Sequence, residues 1–111
     1  MALLTHYSET IRQLLTTYQQ FALHAGDQNH ELIFDSANNH YLLMAVGWDG
    51  EERLYHTVLH VDIIDGKIWI QRDGTEDGII DDLLAAGVPK EHIVQAYRSP
   101  FVRQFTEFAV S

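Results

Sequence analysis

Cysteine is absent from this 111-residue chain. The absence excludes a disulfide framework, thiol catalysis and any zinc site built on thiolates. It suits a reducing compartment, and a cytoplasmic location is the expectation. Basic residues are scarce: 7 lysines and arginines stand against 16 acidic residues, a formal charge of −9. Such a surface repels a phosphate backbone on average, which disfavours direct nucleic-acid binding. The cations are also scattered, and Arg98 and Arg103 alone flank one segment closely enough to make a small patch. No apolar run approaches the roughly 20 residues that span a bilayer, and residues 1–6 carry no basic leader region, so neither membrane insertion nor export is expected.

Catalytic signatures are missing as well. The chain has no P-loop lysine motif and no Gly-x-Gly-x-x-Gly turn, and Ser8, Ser36, Ser99 and Ser111 lie in no nucleophile elbow. The adjacent pairs Glu51-Glu52 and Asp81-Asp82 read as solvated surface. No catalytic residue and no cofactor is assigned, and the chain is expected to bind rather than catalyse. With 46% apolar residues spread along its length and neither a linker nor a repeat, residues 1–111 are expected to fold as one domain.

The elements present begin with a helix. Leu4, Tyr7, Ile11, Leu14, Leu15, Tyr18 and Phe21 recur at steps of three and four, the period of a one-sided helix. Gly26, Asp27, Gln28 and Asn29 punctuate it, and the pattern then shifts to strands at residues 32–34, 41–48, 53–64 and 67–71. Asp65-Gly66 is a type I′ hairpin signal between the last two. Thr75 is placed as the cap of a second helix with Glu76 and Asp77 in its first turn; Gly87, Val88 and Pro89 stop it in a Schellman pattern. Short turns leave the strands only antiparallel pairing. The expected fold is α+β: an N-terminal helix, a four-stranded antiparallel meander, a second helix and a short C-terminal segment packed on the sheet.

The strand at 41–48 is apolar on both sides, so both sheet faces need a cover. Odd positions of the third strand are expected to meet the helices and even positions the second face. That face would present Trp48, Met44, His56, Val58, His60 and Trp69, joined by Phe101, Phe105 and Phe108 of the tail at helical spacing. His56, His60 and Asp62 share the even side, with His40 on the neighbouring strand, but positions i and i+4 of a strand are roughly 13 Å apart. The histidines therefore read as interface residues, and no metal ligand is assigned.

Several ordered motifs carry a family resemblance: Val46-Gly47-Trp48-Asp49-Gly50, His60-Val61-Asp62-Ile63, Asp65-Gly66-Lys67-Ile68-Trp69-Ile70-Gln71, Asp73-Gly74-Thr75-Glu76, Gly87-Val88-Pro89-Lys90-Glu91, Ile93-Val94, and Arg103, Thr106 and Phe108-Ala109-Val110. Together they resemble the XisI family across almost the whole chain. The N-terminal helix matches in pattern and length, and His92 stands where an acidic residue is commoner. The resemblance implies a cyanobacterial factor controlling excision of the fdxN DNA element during heterocyst differentiation. It would act beside a nuclease-like partner, XisH, while a separate recombinase performs the recombination. It implies no catalytic residues. The expected partners are thus an XisH-like protein and, in its absence, a second copy of the chain in a dimer or higher even oligomer. The rival is an accessory factor touching the excision-site DNA through Arg98 and Arg103.

Overall fold

The computed structural model describes residues 2–22 and 27–111, with side chains from His6 to Ala22 and from Gln28 onward. Gly26 and the side chains of Leu4 and Asp27, named above, lie outside the described part. Helix α1 (Ala2–Phe21) is followed by strands β1 (Asp27–Asp35), β2 (His40–Asp49), β3 (Glu52–Ile64) and β4 (Lys67–Asp73). Then come helix α2 (Ile80–Ala85), a 3₁₀ turn (Lys90–His92), strand β5 (Ile93–Gln95) and the single-turn helix α3 (Pro100–Arg103).

The strands form one sheet in the order β1-β2-β3-β4-β5. The first three pairings are antiparallel and β4 with β5 is parallel. The α+β class stands, and the four-stranded meander gains a fifth, parallel strand. Residues 74–92, which carry α2 and the 3₁₀ turn, supply the long crossover that parallel neighbours require. A three-residue strand, Ile93-Val94-Gln95, is too short to show a periodicity in the sequence.

The core lies between α1, α2 and one face of the sheet. Tyr7, Ile11 and Leu15 form the buried stripe of α1, against Tyr41, Leu43, Leu59, Val61, Ile68 and Ile70. Phe21, placed on the same stripe by its spacing, is exposed. Burying each of these aliphatic side chains is worth about 1.5–3 kcal/mol relative to leaving it wet. Three polar contacts set the helix position: the Ser8 and Tyr41 hydroxyls lie 2.6 Å apart, Tyr7 Oη reaches His92 Nδ1, and Tyr18 Oη donates to the Asp82 carboxylate. Burial, with Asp82 adding to it, pushes the Tyr18 phenol well above its usual range.

The β3–β4 turn is the one its residues call for: Asp65 and Gly66 both have positive φ, 51° and 76°. The end of α2 is equally as expected. Gly87 is left-handed at φ 96°; its N–H donates to Leu84 O and that of Val88 to Leu83 O, the two bonds of a Schellman motif. The start of α2 differs from expectation. The helix begins at Ile80 with no side-chain cap, and Asp81 and Asp82 occupy its first turn. The turn at 74–78, with Gly78 at φ 79°, takes up the residues assigned to the helix. Asp73 organises it, accepting from Ile79 N at 2.7 Å and Thr75 N at 3.1 Å. Thr75 is therefore a member of that turn and no helix cap.

Candidate protein-binding face and polar cluster

Two irregularities in the sheet decide which side chains meet on the face opposite the helices. Leu43 pairs with Leu59 but Met44 with Thr57, so Val58 is an extra residue in β3. Val61 pairs with Ile70 but His60 with Arg72, so Gln71 is extra in β4. Both are β-bulges, which shift the alternation of the strand that carries them. The Val58 carbonyl is satisfied by Gly74 N at 2.7 Å.

The bulge at Val58 corrects the assignment of β3. On its C-terminal side, odd positions Leu59, Val61 and Ile63 are in the core as expected. On its N-terminal side the phase inverts: Thr57, Tyr55 and Arg53 stand opposite Met44, Val46 and Trp48 and share their face. Val58 packs against the core, and His56 stands opposite the core residue Ala45, so neither belongs to the second face. Nothing in the sequence marks a bulge, so the place of Arg53 and Tyr55 on this face is visible only in the paired strands.

The second face thus has two ends. At the far end of β2 and β3, Trp48 is 47% and Tyr55 66% exposed, and the Arg53 guanidinium lies over both rings at 5.2 and 5.8 Å. Met44 on the same face is buried and its sulfur accepts from Thr57 Oγ1, and the exposed Ile33 lies away from this patch, opposite Leu42 near the start of β2. At the β4 and β5 end the C-terminal segment provides cover. Ala109 N donates to Ile93 O, Ala109 bridges Val94 in parallel, and Arg103 lies over the Trp69 ring at 5.4 Å while donating to Arg98 O, Ala96 O and Val110 O. Arg103 is committed to fastening this segment. The three phenylalanines do not form one stripe, because α3 stops at Arg103: Phe101 and Phe105 meet edge to face in solvent, and Phe108 alone packs against the core.

Between the two ends lies a polar cluster. Asp62, the one charged residue that is buried among those described, pairs across β2 and β3 with His40. Its Oδ1 accepts from His40 Nδ1 at 2.8 Å and from His60 Nε2 at 2.9 Å, and its Oδ2 accepts from Gln71 Nε2 at 3.3 Å. The hydrogen bond it donates to Asp62, and then the charge of that carboxylate, hold the His40 imidazole above the usual histidine pKa against a smaller opposing effect of desolvation. Of the histidines considered as a group in the sequence, His40 and His60 come together and His56 does not.

Among the described residues no helix is long and apolar enough to cross a membrane. A family model described as XisI protein matches residues 1–110. An XisI-like protein from Anabaena variabilis is 41% identical over 97% of this chain and 99% of its own, with a TM-score of 0.92. The fdxN element excision controlling factor XisI from the same organism is 37% identical over 98% of this chain and 99% of its own, with a TM-score of 0.87. No curated protein matches the chain.

Proposed function

The chain belongs to the XisI family, and from that premise we propose that it is a non-enzymatic accessory factor in the control of DNA-element excision, acting by binding an XisH-like protein through the second face of its sheet. The observation that carries the binding role is the exposed group of Trp48, Tyr55 and Arg53. Tryptophan, tyrosine and arginine dominate binding hot spots, and here they stand together on β2 and β3, which carry the core residues Leu43 and Leu59 on their other face. Phe101 and Phe105 offer a second exposed aromatic pair. The excision role rests on the likeness to the fdxN element excision controlling factor.

Direct contact with excision-site DNA has less support. The charge of −9 opposes it, Arg103 is occupied by three carbonyls and Trp69, and Arg98 is held by Gln95 Oε1. Co-expression with an XisH-like protein followed by size-exclusion chromatography tests the proposal. Co-elution that is lost in Trp48→Ala supports it, and separate elution at micromolar concentrations defeats it. Without that partner the same face is expected to meet a second copy of the chain across a two-fold axis. Sedimentation of a pure monomer across the micromolar range would reject this self-association.

A further inference from the structure

We propose that His40, His60 and Asp62 form a binding site for a divalent transition-metal ion of the zinc class. The inference does not rest on the protein-binding reading. Its first support is convergence: one ligand atom from each of the three residues lies within 4.8 Å of the other two. A single carboxylate oxygen, Asp62 Oδ1, faces both imidazoles, at 2.8 Å from His40 Nδ1 and 2.9 Å from His60 Nε2. An ion bound tetrahedrally at about 2.0–2.1 Å from each ligand needs those atoms roughly 3.3–3.5 Å apart. The site therefore has to open by about half an ångström at each contact, the space an ion needs when it replaces two hydrogen-bonded protons.

The surroundings supply the rest. Gln71 Nε2 holds the second oxygen of Asp62, which aims Oδ1 at the imidazoles, the role played by the outer partners of metal-bound carboxylates. The two imidazoles lie at the surface, with His40 half-exposed and His60 one-third exposed, so an ion has a path in and a fourth position is left for water. Two nitrogens and one oxygen suit zinc or cobalt, whereas magnesium and calcium prefer oxygen ligands alone. The bulge at Gln71 and the cross-strand pairing of His40 with Asp62 build the cluster.

The test uses the full chain with any affinity tag removed, freed of metal by a chelator that is then dialysed away. Zn²⁺ is titrated calorimetrically, and Co²⁺ is followed by its visible absorption. One Zn²⁺ per chain and the strong bands of four-coordinate Co²⁺ are expected. His40→Ala and His60→Ala should each weaken binding by more than about 100-fold, and Gln71→Ala by about tenfold, through its loss of aim on the carboxylate. His56→Ala should leave binding unchanged. All four altered side chains reach the surface, and circular dichroism confirms that each variant is folded. Absence of saturable Zn²⁺ binding, or binding that survives both His40→Ala and His60→Ala, overturns the proposal.

Discussion

The two faces of the sheet are made by the same strands, yet they differ in almost every physical respect. One is dry: Leu43, Leu59, Val61, Ile68 and Ile70 are shut under α1 and α2 with hardly a polar atom among them. The other is a mosaic of a sealed end under Arg103 and the C-terminal segment, a hydrogen-bonded carboxylate between two histidines, and an open aromatic end around Trp48. Most of the folding free energy therefore comes from the first face. The second is left free to carry polar and aromatic groups whose arrangement does little for stability. Both bulged residues, Val58 and Gln71, lie on strands that serve the two faces at once, and each changes what the second face presents while the core remains packed.

The contrast can be broken most forcefully from the core side. Leu59→Ala empties a fully buried position between strands and helix and should cost about 2–5 kcal/mol in urea unfolding. Asp73→Ala removes a carboxylate that holds Ile79 N and Thr75 N at the entrance to α2, with an expected loss of about 1–3 kcal/mol by the same measurement. Trp48→Ala on the open face should cost only about 1 kcal/mol, because half the side chain is already wet. It should nonetheless weaken partner binding by about 2 kcal/mol, measured by calorimetry on the proposed complex. Equal effects of Trp48→Ala and Leu59→Ala on unfolding would erase the distinction between the faces.

The smallest effect is expected from pH. His40 is held above its unfolded pKa of about 6.5 by Asp62, so its protonated form is favoured by folding. The stabilisation it brings is complete below that unfolded value and is lost as pH rises through the higher folded pKa. In metal-free protein the stability difference between the native chain and His40→Gln should accordingly be larger at mildly acidic than at alkaline pH, with the imidazole titration followed by NMR. A His40 resonance titrating at or below the free value would contradict the geometry of the cluster.

Much of this molecule was determined locally and is legible in the chain. The apolar stripe Tyr7, Ile11 and Leu15, the Asp65-Gly66 turn and the stop at Gly87 and Val88 depend on residues only a few positions apart, and each formed where its pattern placed it. The ordered motifs likewise identified the family, since they are properties of the sequence itself. What only the tertiary structure decided were events that depend on another strand. The bulge at Val58 removed His56 and Val58 from the second face and put Tyr55 and Arg53 there; the parallel strand β5 formed because a distant edge of β4 was open to it; and α3 ended after one turn, parting Phe108 from Phe101 and Phe105. The cluster of His40, His60 and Asp62 belongs with these. Along one strand the histidines are too far apart to cooperate, and cross-strand pairing sets His40 beside the Asp62 that His60 already meets.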